Sequence, residues 1–257
     1  MNARASKISV VTVCFNAAAT IEKTILSVVS QSHPIVEYVV VDGASTDGTL
    51  KIVAKYSERI DNLISEKDRG IFDAMNKGVA TATGDVVYFL NADDSFVDDR
   101  VLEDVARAFE QDATRMLVYG NVVLKDGPPG VLNFPARAFR KRSVSEFLHN
   151  SFCHQAVFVR RELFAQLGPF DLQYRYSADY EWIIRAFKRD AGRDFFFLDR
   201  NIANYYFLGR SQQHAAVTTK EVHRMQFRHF ASVEFAWYFF RYVFLRKWKK
   251  RILHETY

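Results

Sequence analysis

Two adjacent carboxylates follow the most apolar segment in the first half of this 257-residue chain. Asp93 and Asp94 follow residues 85–90, a run that predicts a buried strand, after two intervening residues. Carboxylate oxygens are the ligands that Mg²⁺ and Mn²⁺ prefer, and Mg²⁺ usually completes its coordination with water and substrate phosphates. Loop carboxylates also form turns and caps, here for a helix beginning near Asp99. The pair is therefore a candidate divalent-cation site, with capping as the alternative.

Further acids could contact a nucleotide. Asp42 ends another predicted strand and precedes Gly43, and acids at such strand ends can accept hydrogen bonds from a ribose or a base. The alternative for Asp42 is an Asx turn. Asp68 and Arg69 lie just before a short predicted helix, near its N-terminus, and are candidates for contact with the same nucleotide.

Two acids near the start of a later predicted helix are candidates for proton transfer. Asp179 and Glu181 precede an apolar helical stretch, where a carboxylate can act as a general base. Helix capping by Asp179 is the alternative. His154 follows Cys153 without the spacing of a zinc site. We predict that His154 and Glu181 contact the acceptor or a phosphate, with a structural role as the alternative for His154.

Alternating strands and helices must position these residues. The strands are predicted at residues 8–13, 37–41, 62–64, 85–90 and 117–123. Amphipathic helical patterns separate them, which predicts an α/β fold with a mostly parallel open sheet flanked by helices. Ligands of such sheets bind beyond the carboxyl ends of the strands. We therefore expect residues 14–16, 42–43 and 93–94 to meet at one rim.

The composition of the chain bears on the cellular compartment in which the protein acts. Hydrophobic residues make up 49% of it, enough for one large domain, and the two cysteines form no disulfide framework, which favours a reducing compartment. The N-terminus has no signal-peptide pattern, and no apolar run reaches the roughly 18 residues that span a bilayer. These features predict a cytoplasmic protein.

The C-terminal segment differs from the rest of the chain. Residues 235–245 are mostly aromatic and apolar, and residues 237–253 contain six Lys or Arg residues and no acid. We predict a domain at residues 1–220 and a basic aromatic helical segment at 221–257 that binds anionic lipid at the inner face of the membrane. A helix packed on the core is the alternative. Nothing else in the sequence supports nucleic-acid binding.

Several motifs together resemble the family-2 glycosyltransferases, inverting enzymes of the GT-A fold, which is a Rossmann-like sheet. ISVVTVCFN resembles the opening strand of that family, VVVDGASTDGT its second strand and nucleotide loop, and FLNADD its metal-binding DXD segment. DRGIFDAMNKG is similar to a subgroup that acts in bacterial polysaccharide and glycolipid synthesis. HQA, GPFD and ADYE follow in the order of that subgroup. The resemblance covers about residues 7 to 210.

The resemblance implies a role for each matched residue. Asp93, assisted by Asp94, would hold Mg²⁺ or Mn²⁺ on the diphosphate of a nucleotide sugar, and Asp179 would be the base. The sequence departs from the family at Asn91, where Asp is usual, and at Ala178, where an acid is usual; Glu181 is the alternative base. The nucleotide contacts would come from Thr12, Asn16, Asp42, Asp68 and Arg69.

We therefore expect an inverting glycosyltransferase that uses a glycan or lipid-linked acceptor in cell-surface polysaccharide or glycolipid synthesis. One alternative is a sugar-nucleotidyltransferase, which needs a Gly-rich basic loop after the first strand; residues 14–19 contain no Gly, Lys or Arg. The other is an inactive GT-A scaffold at the membrane, for which Asn91 and Ala178 are the supporting features. The sequence does not indicate the sugar, the base, the acceptor or the oligomeric state.

Overall fold

One mixed sheet organises the molecule. A computed structural model describes residues 6–34, 36–125, 133–134, 153–206 and 214–230, and in these ranges nine strands are flanked by seven α-helices. The strands are β1 Ile8–Cys14, β2 Val36–Asp42, β3 Asn62–Ser65, β4 Val86–Phe89, β5 Ser95–Phe96, β6 Leu117–Lys125, β7 Asn133–Phe134, β8 Val157–Arg160 and β9 Phe195–Tyr206. The helices are α1 Ile21–Val29, α2 Thr49–Ala54, α3 Ile71–Thr81, α4 Val101–Gln111, α5 Arg161–Leu167, α6 Ala178–Asp190 and α7 Ala215–His229.

The strand order is β3-β2-β1-β4-β8-β6-β9-β5, with β7 paired to β6. The first four strands are parallel, as are β6 and β9, whereas β8 runs antiparallel between β4 and β6. The predicted α/β fold with a mostly parallel open sheet is confirmed for the first half of the chain. The antiparallel β8 has a consequence for the site, because its amino end lies beside the carboxyl end of β4.

Apolar layers on both faces hold the parallel strands. Every residue of β1 is buried, and alternate side chains enter opposite layers: Val11 and Val13 pack on the face of α3 and α6, Val10 and Cys14 on that of α1 and α4. Burying an aliphatic side chain contributes about 1.5–3 kcal/mol. The end of β1 at this edge is therefore carried by a strand that is buried on both faces.

Hydrogen bonds fix the amino ends of the same strands. Glu37 of β2 accepts hydrogen bonds from the Ser9 hydroxyl, from Lys7 and from the backbone and hydroxyl of Thr83. Burial acts to raise the pKa of Glu37, but these hydrogen bonds outweigh it and bring the pKa down to about 2. The carboxylate thus joins β1, β2 and the turn before β4.

The last described helix packs close to the predicted domain boundary. Helix α7 runs through residue 220 without a break, and its end contacts α6, where His229 Nε2 lies 3.0 Å from Glu181 Oε1. The aromatic and basic segment at residues 235–251 lies outside the described residues, and the domain boundary stays a prediction. Within the described ranges, every helix is too short or too polar to cross a bilayer.

Candidate active site

The predicted rim exists at the carboxyl ends of the parallel strands. Cys14 at the end of β1 lies opposite Asp42 at the end of β2, and Asp42 lies opposite Ser65 at the end of β3. After β4 the chain continues along β1, since the Ala92 amide donates to the Val13 carbonyl at 3.3 Å. Polar groups from three strands therefore meet at one edge, as the sequence predicted.

The loop after β1 is held by the loop after β2. Asn16 has φ 50°, a left-handed conformation that asparagine tolerates better than most residues. Its backbone amide donates to Ser45 Oγ at 2.8 Å, and its Oδ1 accepts from the Thr46 amide at 2.9 Å. Asn16 is exposed at the rim, which is where its predicted nucleotide contact requires it to be.

Asp42 and Thr12 are placed less favourably for the predicted contacts. The Asp42 carboxylate is fully buried and accepts hydrogen bonds from the Ser45 amide at 3.0 Å and the Ser65 hydroxyl at 2.8 Å. This is the Asx-turn alternative. Thr12 is also fully buried, and its hydroxyl lies 3.2 Å from the Tyr38 hydroxyl. Burial of Asp42 and Thr12 argues against direct contact of their side chains with a nucleotide, and these two contacts stay predictions.

Asp68 lies against the end of β2. Its Oδ1 accepts from the Gly70 amide at 2.8 Å, and a Cβ at position 43 would collide with its Oδ2, so Gly43 is what permits this close approach. Arg69 is exposed and pairs with Asp73 at 3.0 Å. The exposed ring of Phe15 adjoins Gly43 as well. Exposed aromatics at strand ends can stack on a base, a signal that the sequence reasoning missed.

Asp93 and Asp94 have opposite environments. Asp93 is exposed, whereas Asp94 is 1% exposed. Both carboxylate oxygens of Asp94, and Oδ1 of the nearby Asn91, are buried and lack hydrogen-bonding partners of good geometry among the described residues. Buried acceptors without partners are costly unless water or a cation satisfies them. The residues present therefore fit the predicted Mg²⁺ or Mn²⁺ site.

The protonation of Asp94 reflects this arrangement. Burial raises its pKa, as does the charge of Asp93, and the pKa reaches about 8 although His154, Gln155 and the Tyr206 backbone act in the opposite direction. No group of three or more His, Cys, Asp or Glu side chains is gathered as a metal site in the described ranges. That is compatible with Mg²⁺, which typically binds one or two carboxylates and keeps water and phosphate as its other ligands.

His154 lies between the base candidate and Asn91, which is two residues before the metal candidate Asp93. Its Nδ1 lies 2.9 Å from Oδ2 of Asp179, and its Nε2 lies 3.2 Å from Nδ2 of Asn91. Burial acts to lower the pKa of His154, but the hydrogen bond and charge of Asp179, together with Asp94 and Asp93, leave it raised. Asp179 is in the first turn of α6 and keeps about a fifth of its side chain exposed.

Glu181 points away from this arrangement. It is 2% exposed, forms an ion pair with Arg185 at 2.9 Å and contacts His229 Nε2 at 3.0 Å. Burial acts to raise its pKa, but the interactions with His229 and Arg185 outweigh it and keep the pKa low. These partners argue against Glu181 as the alternative base or as an acceptor contact. The position of Glu181 near the start of α6 suggested contact with the acceptor or proton transfer. The side chain instead lies on the buried face of the helix.

Comparisons with known proteins show the family and the fold of the chain. A PGL/p-HBAD biosynthesis glycosyltransferase of Mycobacterium bovis (strain BCG / Pasteur 1173P2) is 35% identical over 189 residues, 71% of this chain and 70% of that protein. The structure of S. aureus TarS 1-349 in complex with UDP superposes with a TM-score of 0.66 at 19% identity, covering 91% of this chain and 71% of TarS 1-349.

Glucosyl-3-phosphoglycerate synthase from Mycobacterium tuberculosis, in complex with Mn²⁺, UDP and glucosyl-3-phosphoglycerate, superposes with a TM-score of 0.63 at 18% identity over 87% of this chain and 80% of the synthase. These structural likenesses establish the GT-A fold. The sequence model described as Glycosyl transferase family 2 matches residues 9–168, more than half of the chain. The chain therefore belongs to glycosyltransferase family 2.

Proposed function

We propose that this glycosyltransferase moves a sugar from a nucleoside-diphosphate sugar to an acceptor hydroxyl in a single displacement that inverts the anomeric carbon. The observation that carries the proposal is that His154 contacts both the candidate base, Asp179, and Asn91, which closely precedes the candidate cation ligands Asp93 and Asp94 in sequence. One group can act on the leaving diphosphate and the other on the attacking hydroxyl, which is what a single displacement needs.

The donor would lie along the ends of β1 and β2. Asn16, Asp68 and the exposed ring of Phe15 offer hydrogen-bonding groups and an apolar face for a nucleoside. Uridine is the base we propose, because TarS and the synthase of M. tuberculosis were crystallised with UDP. Arg69, being exposed at the start of α3, can reach a phosphate if it leaves Asp73.

The diphosphate would be held by a divalent cation on Asp93 and Asp94. When bound, Mg²⁺ or Mn²⁺ supplies neutralisation of the charge on the leaving diphosphate. Asp94 brings two buried oxygens that lack hydrogen-bonding partners of good geometry among the described residues, and Asp93 adds an exposed carboxylate. The raised pKa of Asp94 indicates that the carboxylate is costly to ionise without a cation.

Asp179 would accept the proton of the acceptor hydroxyl. His154 Nδ1 lies 2.9 Å from Oδ2 of Asp179, and about a fifth of the Asp179 side chain is exposed, so an acceptor can reach the carboxylate. The nearby relatives suggest what the acceptor is: the M. bovis protein is named for PGL/p-HBAD biosynthesis. We accordingly propose a glycan or lipid-linked acceptor in glycolipid or polysaccharide synthesis, reached by a protein attached to the cytoplasmic face of the membrane.

The loop after β1 is unsuited to a nucleotidyltransferase. Its backbone amides would have to bind a triphosphate, yet those of Asn16, Ala17 and Ala18 already donate to Ser45, Thr49 and Asp47 at 2.8–3.0 Å. An anion-binding loop needs several unengaged amides that point at the ligand. This observation favours the transferase over that alternative.

Calorimetric titration of UDP, GDP and dTDP, each with and without Mn²⁺, tests donor recognition. We expect tight binding of one nucleotide that requires Mn²⁺ and is lost in Asp93→Ala. Asp171→Asn, an acid outside the rim, is the matched control. Absence of binding by all three nucleotides to the folded protein would contradict the proposal and favour the inactive scaffold.

Turnover of the matching nucleotide sugar tests the base. Asp179→Asn should keep nucleotide binding but lose at least about 100-fold in kcat, since an amide cannot accept the proton. The release of nucleoside diphosphate is the measurement. Wild-type turnover by Asp179→Asn would overturn the assignment of Asp179.

A further inference from the structure

We infer that Asn91 and His154 form a positioning chain for the base Asp179, in which the amide nitrogen of Asn91 anchors His154. The inference rests on the proposed function and adds roles that the sequence reasoning did not assign. It makes the departure at position 91 a functional feature: the asparagine anchors the far nitrogen of His154.

Contacts at hydrogen-bonding distance connect all three side chains. Asn91 Nδ2 lies 3.2 Å from His154 Nε2, and His154 Nδ1 lies 2.9 Å from Asp179 Oδ2. With the proton on Nδ1, the imidazole donates to Asp179 and accepts from the Asn91 amide, so both ring nitrogens are satisfied. Asn91 is 9% exposed, and the His154 side chain is 23% exposed. A ring fixed at both ends holds the carboxylate in one orientation.

The antiparallel β8 makes this bridge possible. His154 lies in the short 3₁₀ helix His154–Ala156 just before β8, and β8 pairs with β4 through Tyr88 and Phe158. The beginning of β8 is thereby placed at the end of β4, where Asn91 follows. The Tyr88 hydroxyl donates to the Gln155 carbonyl at 2.7 Å and fixes the turn. The histidine is thus carried by rigid elements on both sides.

An amide has an advantage over a carboxylate at position 91. Asn91 can donate Nδ2–H to a neutral imidazole, and its Oδ1 could accept from a protonated one. An ionised aspartate could only accept, so it could anchor His154 only when Nε2 carries a proton. Asparagine can therefore anchor His154 in either protonation state of the ring, whereas aspartate cannot.

Two near-isosteric substitutions separate the two ends of the chain. His154→Asn places an amide near the position of Nδ1 and can still donate to Asp179, whereas His154→Gln reaches the position of Nε2 and keeps only Asn91. Misplacement of a catalytic group by about 1 Å can cost about 100-fold in rate. We expect His154→Gln to lose about 100-fold in kcat and His154→Asn about tenfold, both with a nearly unchanged KM for the donor.

The assay follows release of the nucleoside diphosphate from the UDP-, GDP- or dTDP-sugar that the wild type turns over, with water as the acceptor if no other is found. Calorimetric binding of the matching nucleotide with Mn²⁺, and melting temperature, show that each variant is folded and binds the donor. Equal losses of kcat in the two His154 variants, or losses confined to KM, would overturn the positioning role.

Asn91→Asp separates anchoring from cation binding. If Asn91 anchors His154, this variant loses kcat by about tenfold while Mn²⁺ affinity changes little. A gain in Mn²⁺ affinity together with equal or higher kcat would show instead that position 91 is a cation ligand weakened by asparagine, and would overturn the inference.

A measurement without substrate distinguishes failure of this inference from failure of the proposed function. Long-range ¹H–¹⁵N spectra of the imidazoles should show His154 protonated at Nδ1 in the wild type, with a shifted Nε2 signal in Asn91→Ala. This result would support the chain even if no nucleotide binds. A His154 signal unaffected by Asn91→Ala would refute the positioning role of Asn91, even if the protein is an active transferase.

Discussion

Asp93 and Asp94 are neighbours in sequence, but folding gives them different chemical properties. Asp93 is exposed to solvent. Asp94 is buried, its oxygens lack hydrogen-bonding partners of good geometry among the described residues, and its pKa rises to about 8. A carboxyl with a raised pKa binds its proton more strongly in the folded state than in the unfolded state. Its contribution to stability is therefore complete below about pH 4 and is lost as the pH rises towards 8.

Asp94→Asn should remove this pH dependence. Without divalent cations, we expect the melting temperature of the variant to gain on that of the wild type between pH 5 and pH 8, by several degrees at pH 8. Thermal unfolding followed by circular dichroism measures it. Asp99→Asn, which changes an exposed acid close by, is the control and should follow the wild type.

The cation should reverse the difference. Mn²⁺ binds the ionised carboxylate, so at pH 8 it should raise the melting temperature of the wild type much more than that of Asp94→Asn. Equal stabilisation of both proteins by Mn²⁺ would mean that Asp94 is not a ligand.

At the scale of elements, helix α7 supports the start of α6. Glu221 of α7 accepts hydrogen bonds from the backbone amides of Arg175 and Tyr176 at 2.8 and 2.9 Å and from the Ser177 hydroxyl at 2.9 Å. These three residues lie directly before Ala178, the first residue of α6, and Asp179 follows. A helix near the C-terminus therefore helps to hold the loop that carries the base.

Glu221→Ala should weaken that support. Three hydrogen bonds to one charged group are lost, at about 1–3 kcal/mol each before compensation by water, and the loop before α6 becomes less constrained. We expect a lower melting temperature and a kcat reduced by about tenfold, with the Kd for the nucleotide nearly unchanged. Lys220→Ala, an exposed neighbour on α7, is the control. An unchanged kcat with a lowered melting temperature would limit Glu221 to a structural role.

Apolar runs in the sequence were sufficient to predict β1, β2 and β4 and the rim at their ends. Parallel strands that are buried on both faces have apolar side chains at nearly every position. Such runs could not show the direction of β8, which depends on pairing with β4 and β6. The contact between Asn91 and His154 follows from that direction and so was not predictable. The contact between Glu181 and His229 was also not predictable, because the two residues are 48 positions apart in sequence.

At the scale of the whole molecule, positive charge is concentrated near the C-terminus. The chain has a net charge of +5, and residues 237–253 contribute six Lys or Arg residues without an acid. Each basic residue near an anionic membrane contributes about 1 kcal/mol, and buried aromatic rings add to this. The described helix α7 ends at His229, before this segment begins, so the segment can be removed without cutting a described element.

Deletion of residues 235–257 should abolish membrane binding and preserve the fold. We expect the full chain to sediment with vesicles that contain phosphatidylglycerol, and to be released as the salt concentration rises and shortens the Debye length. The deletion variant should stay in the supernatant while it keeps its melting temperature and its binding of the matching nucleotide. Vesicles of phosphatidylcholine alone control for charge.

A second variant separates charge from aromatic burial. Replacing Arg246, Lys247, Lys249, Lys250 and Arg251 by Gln keeps the aromatic run at residues 235–245 and removes most of the charge. If electrostatic attraction dominates, this variant loses binding as the deletion does; if the rings dominate, it binds both kinds of vesicle equally. Either result would place the segment at a lipid surface, where a lipid-linked acceptor is available. A deletion variant that sediments as the full chain does would contradict the proposed membrane contact.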